Sequence, residues 1–239
     1  MSKKSNERKN QKQNKEHRGN LKKDNSTRNL TLGMVIFVIV VGVLFSFISN
    51  SSNAHALNPK DAVKKYDQGI TFNNTAINKP LLEIYEDPQC PVCKHFEDTT
   101  GSVVRNLLST KKAKVVYHIL SFLGPDSQNM ANSLACADNE DKFLALHDYY
   151  YQHQVSENSG FWTLEHILSA GSAVGLTDKK FVTCVSNNQY SPYVTNVENA
   201  AGNHNVNGTP TIFLNGKPIP NTVQNYNDPK NFLALVNKG

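Results

Sequence analysis

The sequence predicts an α/β domain with an inserted helical block, set behind one N-terminal membrane-spanning helix. Three observations carry this reading of the 239 residues. Residues 30–49 hold no charged side chain. Residues 81–123 run from an apolar stretch through a C-x-x-C and a helical pattern to a second apolar stretch. Residues 127–188 are helical in periodicity, and a helix, a hairpin and a last helix follow them.

The chain begins with a basic tail. Residues 1–29 hold ten Lys or Arg against Glu7, Glu16 and Asp24, a net of +7; the whole chain totals +5, so the rest sums to −2. The positive charge therefore belongs to the tail, and the body offers no electrostatic case for binding nucleic acid. Lacking aromatics, and with only Leu21 and Met1 as large apolar residues, the tail buries no core and is expected to be disordered.

The uncharged run "LTLGMVIFVIVVGVLFSFIS" (30–49) would span about 30 Å as a helix, the hydrocarbon thickness of a bilayer. It reads as an uncleaved signal-anchor or as a secretory signal cut after Ala56, where "NAHAL" supplies an A-x-A pattern. Its length, beyond the roughly 7–15 residues of a signal core, favours the anchor. Either way the tail stays cytoplasmic, and residues 57–239 lie outside, where disulfides persist. Residues 50–64 read as a polar linker and residues 65–239 as one domain.

Within that domain "GITF" (69–72) is a candidate first strand and "LLEIY" (81–85) a second, stopped by the turn at Pro88. Phe96, Val103, Val104 and Leu107 recur at helical spacing, so a helix starts at the cysteines. "AKVVYHILSFL" (113–123) reads as a buried strand ended by Gly124-Pro125. In the block, Met130, Leu134 and Ala135 mark one helix. Phe143, Leu144, His147 and Tyr150 or Tyr151 mark another, and Leu164, Ile167 and Leu168 a third, ending near Gly171 or Gly175. A short helix over 178–188 starts at Asp178, and another covers 193–201. "GTPTIFLNGKPI" (208–219) reads as strand, Asn215-Gly216 turn and return strand. The last helix has Asp228 as cap and Pro229 at its first position. With the block removed, this order is that of a thioredoxin fold.

Cys90 and Cys93 in "EDPQCPVCKHFE" (86–97) fit three chemistries. Structural zinc needs four ligands, usually from two knuckles, and no second C-x-x-C or H-x-x-x-H is present. A purely structural disulfide would close a tiny loop for little entropic stabilisation. Redox exchange explains more of the pattern. A cysteine at a helix N-terminus faces unpaired N–H groups and the positive end of the helix dipole, which favour the thiolate. Cys90 sits there, Cys93 lies one turn inward, and Pro91 suits the first helical position. Thr209-Pro210, heading a strand, is a candidate cis peptide, and in a thioredoxin fold such a loop packs on the C-x-x-C.

Together "EIYEDPQCPVCKHFE", the helical insertion, "NGTPTIFLNGK" and the single export segment resemble the DsbA-like thiol:disulfide oxidoreductases in their membrane-anchored Gram-positive form. The resemblance covers about residues 65–239. It implies a disulfide donor to exported proteins with free thiols, with Cys90 as nucleophile, Cys93 as resolving thiol and Pro210 as the cis-proline. Pro91, Val92 and Thr209 would border the substrate. It also implies a quinone-linked membrane reoxidant of the DsbB or VKOR type, a monomer, and neither metal nor organic cofactor. Similar proteins often tie their helical domain with a disulfide, which here would join Cys136 and Cys184; two free buried thiols are the alternative.

Val92 departs from the His common at that position in the family, which implies a less oxidising pair. His95 reads as a solvated surface histidine. Glu97 either pairs with Lys94 or solvent, or lies near the active site. Glu83 is either a buried carboxylate serving proton transfer from Cys93 or an edge residue facing water. Trp162 and Tyr149–Tyr151 read as packing and surface aromatics.

Overall fold

The computed structural model describes residues 57–75 and 79–239. The basic tail, the uncharged run 30–49 and residues 50–56 of the linker lie outside them. Among the described residues no helix is long and apolar enough to cross a membrane.

Five strands form one sheet in the order β1-β3-β2-β4-β5. They are β1 (Ile70–Phe72), β2 (Leu81–Glu86), β3 (Lys114–Ile119), β4 (Thr211–Leu214) and β5 (Lys217–Pro218). β2 and β3 run parallel; β1 against β3, β4 against β2 and β5 against β4 are antiparallel. The β2–β3 crossover is a helix, as parallel strands require. It consists of α1 (Pro91–Phe96), a π turn (Glu97–Gly101) and α2 (Ser102–Ser109). This is a thioredoxin fold with a helical insertion.

The central strands are covered on both faces, which explains why "VVYHI" is apolar without alternation. Cross-strand register puts Leu82, Ile84 and Glu86 on one face with Val115, Tyr117 and Ile119. Over that face Phe96 of α1 meets Phe232 of α9 (Pro229–Lys238) at 5.6 Å between ring centroids. Phe143, from α4 (Phe143–Gln152) of the insertion, meets Tyr117 at 5.5 Å. The other face carries Glu83, Tyr85 and His118, the last two stacked at 4.0 Å. Near its end Glu198 of α7 (Ser191–Asn203) accepts the Ser121 N–H at 2.7 Å.

The insertion consists of α3 (Pro125–Asp138), α4, α5 (Leu164–Ala173) and α6 (Lys179–Ser186). Most of α3 is buried because other helices surround it. A disulfide joins Cys136 of α3 to Cys184 of α6. Asp178 caps α6 by accepting the Phe181 N–H, and Asp228 caps α9. Asn215 and Gly216 turn the hairpin at φ 51° and 75°, the left-handed region a tight two-residue turn demands.

Four features differ from the sequence reading. β3 stops at Ile119 rather than running to 123, because the Leu123 N–H is drawn to Asp87 Oδ2 at 3.2 Å, away from the ladder. The helix after the cysteines is broken by the π turn. The insertion begins at Pro125, which fits a first helical turn, rather than at 127. A short helix α8 (Val223–Tyr226), capped by Thr222, precedes α9.

Candidate functional site

Cys90 is the N-cap of α1 with extended backbone, and Pro91 follows at N1. The sequence builds this start because proline sacrifices no hydrogen bond at N1. Cys90 is 7% exposed and Cys93, one turn inward, 0%. Both are free thiols. Thr209-Pro210 is a cis peptide, and the Cys90 thiol donates to the Thr209 carbonyl at 3.5 Å. Thr209 Oγ1 is buried there without a hydrogen-bond partner. The structure thus brings Cys90, Cys93, Thr209 and Pro210 together.

The two thiols are driven apart electrostatically. The Cys93 thiol, donating to Cys90, is the main influence lowering Cys90 from 9.0 to about 6. Thr209 and the backbone N–H groups of Cys93 and Val92 add to it, against burial. Cys93 is pushed well above its ordinary value, first by burial, then by its bond to Cys90 and by the charge of Glu86. One sulfur is held toward the thiolate near neutrality, and the other, the more deeply buried, stays a thiol. Val92 is 51% exposed, so its side chain borders the site and gives Cys90 no donor.

The insertion grips the loop before Cys90. Gln154 Nε2 donates to the Pro88 and Cys90 carbonyls at 2.8 and 3.1 Å. The Tyr151 hydroxyl donates to the Asp87 carbonyl at 3.2 Å, and its ring packs against both cysteines. Asp87 Oδ1 accepts from Ser127 Oγ at 2.6 Å and the Gln89 N–H at 2.9 Å. Burial nevertheless raises the Asp87 carboxyl to about 6.

Beneath Cys93 lies a charged cluster. Glu86 of β2 pairs with His147 of α4. Arg105 of α2 pairs with Asp148, its Nη2 lying 2.8 Å from His147 Nδ1 and 3.9 Å from Glu97 Oε2. Burial opposes a charged imidazole, but the Glu86 and Asp148 carboxylates outweigh it and hold His147 at about 9. Glu97 is raised, chiefly by burial and then by Glu86.

Of the predicted acids, Glu97 lies on the cysteine side, and Lys94 pairs with Asp98 instead, at 2.9 Å. Glu83 does not join the site. It sits in the middle of the sheet rather than at an edge, with Oε2 3.6 Å from His118 on the opposite face. The acid on the cysteine side of β2 is Glu86. Period-two alternation carried the signal, since residues three apart on a strand face opposite ways. His95 is exposed, while Trp162, Tyr150 and Tyr151 are buried. Among the described residues, the cluster of acids and histidines spaced to share a cation excludes Cys90 and Cys93.

Comparison with solved structures places the fold. The chain superposes on the MdbA protein, a thiol-disulfide oxidoreductase from Actinomyces oris, with TM-score 0.63 and 22% identity, covering 76% of this chain and 92% of that one. DsbA from Mycobacterium tuberculosis matches at TM-score 0.60 and 19% identity, over 71% and 91% of the two chains. BdbD from Bacillus subtilis matches at 0.59 and 19%, over 76% and 96%. At such identities the likeness is one of fold. No curated protein matches the sequence significantly. The thioredoxin family model matches residues 78–238, and the chain belongs to that family.

Proposed function

We propose that the chain is an extracytoplasmic thiol:disulfide oxidoreductase that introduces disulfides into exported proteins. One observation carries this reading: Cys90, the N-cap of α1, lies 3.5 Å from the carbonyl before cis-Pro210 with Cys93 fully buried one turn inward, and this setting lowers Cys90 to about 6 and raises Cys93. The A. oris, M. tuberculosis and B. subtilis proteins of the same fold, one named a thiol-disulfide oxidoreductase, support it. A substrate thiolate attacks Cys90 Sγ of the oxidised pair. The Cys90–Cys93 bond breaks, its electron pair leaves on Cys93, and Cys93 takes up a proton. The substrate's second thiol loses its proton and attacks the substrate sulfur of the mixed disulfide. Cys90 departs as the thiolate its environment favours. The substrate dithiol is oxidised and the cysteine pair reduced by two electrons.

Proton exchange at Cys93 falls to Glu86 and Glu97, the carboxyls on its side of the sheet. Thr209, Pro210, Pro91 and Val92 border the substrate, whose backbone pairs with the chain ahead of Pro210. The uncharged run 30–49 holds the domain at the outer membrane face as a monomer, and a quinone-linked membrane protein of the DsbB or VKOR type reoxidises it. A dithiol peptide mixed with the oxidised protein tests the activity: the peptide is oxidised by the wild type and not by Cys90→Ala. Equal oxidation by both would refute it. The exposed, donor-free Val92 side chain favours a second reading, an isomerase or reductase of less oxidising potential. A pair found mostly reduced in cells would favour that second reading.

A further inference from the structure

We propose that Glu86, Glu97 and His147 form a binding site for one divalent transition-metal cation, zinc-like in its preferences, on the inner side of the cysteine pair. One ligand atom from each lies within 4.8 Å of the other two. A tetrahedral ion with bonds of about 2.1 Å holds its ligands roughly 3.4 Å apart, a distance these side chains reach by rotation. Glu86 and His147 are fully buried and the Glu97 side chain is 7% exposed. Two carboxylate oxygens, Glu86 Oε2 and Glu97 Oε1, are buried with no hydrogen-bond partner. An oxygen so placed needs a proton or a cation, because an unpaired buried charge is costly.

Three further features suit a cation. His147 Nδ1 lies 3.3 Å from Asp148 Oδ1, so with Nε2 on the ion the other ring N–H faces a carboxylate, the usual means of orienting a ligating histidine. Arg105, held by Asp148, then shares that carboxylate instead of the ring nitrogen. Glu97 begins the π turn, a distortion that recurs at functional sites, and its carboxylate folds over Gly101, where any Cβ would collide with Oε2. The charges also balance. Three carboxylates, one guanidinium and a neutral imidazole leave −2 for the ion to cancel. Two carboxylates and an imidazole suit a borderline ion such as zinc better than calcium, which takes oxygen ligands. Asp148, which holds Arg105 at the rim of the cluster, has a side chain 40% exposed.

The site does not depend on the proposed activity, and its test does not use it; with the ion bound, Glu86 and Glu97 are its ligands, so the proton exchange assigned to them belongs to the metal-free protein. The detergent-solubilised full chain, oxidised so that its thiols cannot bind metal, is refolded with zinc, desalted and analysed for metal. One zinc per chain is expected. Glu97→Gln and Gly101→Ala should weaken binding by at least about tenfold, while Glu83→Gln, on the opposite face, leaves it unchanged. Should the variants fail to fold, X-ray absorption of the zinc-loaded wild type decides: one imidazole with oxygen ligands supports the site. Sulfur ligation, several imidazoles, a wild type without zinc, or binding indifferent to Glu97 would each overturn it.

Discussion

Cys90 Sγ lies 3.5 Å from the carbonyl oxygen of Thr209, so the more exposed of the two thiols rests on the residue that precedes Pro210. The Thr209 hydroxyl, buried and unpartnered, is the side chain free to stabilise a thiolate there. Thr209→Val removes it at nearly constant volume. The Cys90 pKa should rise from about 6. Thiolate absorbance followed against pH measures the shift, and an unmoved titration would show that the hydroxyl plays no part.

The lowered Cys90 thiol also sets how stability depends on pH. A group whose pKa is depressed by folding stabilises the folded state above its unfolded value, about 8.5 for cysteine, and loses that contribution as pH falls through its folded value, about 6. The oxidised protein has no such thiol. The unfolding midpoint of the reduced form should therefore gain on that of the oxidised form as pH rises from about 6 to 8. Parallel curves would contradict the Cys90 assignment.

The Cys136–Cys184 disulfide closes a loop of sequence separation 48 and ties α3 to α6. In the double variant Cys136→Ala, Cys184→Ala, stability should fall by about 2–4 kcal/mol in denaturant. Thiol exchange at Cys90 should persist, because neither residue touches it. Loss of exchange in a folded variant would show that the clamp reaches the active pair.

Asp138, at the end of α3, accepts the Asp61 N–H at 2.8 Å, and burial raises its carboxyl to about 6. The folded chain therefore holds that proton more tightly than the unfolded chain. The resulting stability is full below about pH 4 and lost as pH rises through about 6. Asp138→Asn keeps an oxygen for Asp61 and removes the titration. It should flatten this slope and raise stability at pH 7.5 by on the order of 1–2 kcal/mol. An unchanged slope would place the titration elsewhere.

Much of the fold was legible because its cues are local. Asp178, Asp228-Pro229 and Asn215-Gly216 announce their caps and turn by residue type alone. Cys90, Cys93 and Thr209-Pro210 were legible as a constellation because each carries a chemical reason for its place. Glu86, His147 and Arg105 were not. They meet only when α4 packs across the sheet, and nothing near His147 in the chain distinguishes it from a core histidine. Glu83 misled because it resembles Glu86 in type, while strand alternation separates their faces. Tyr151 and Gln154 reach the cysteine loop from more than sixty residues away, so no local pattern marks them.

The central claim is that Cys90 exchanges disulfides and Cys93 resolves them. Mass spectrometry of Cys93→Ala, incubated with a peptide disulfide and digested without reduction, tests it most directly. The account predicts a stable mixed disulfide on Cys90, absent from Cys90→Ala and transient in the wild type. A peptide attached elsewhere, or no adduct at all on a folded protein, would contradict it.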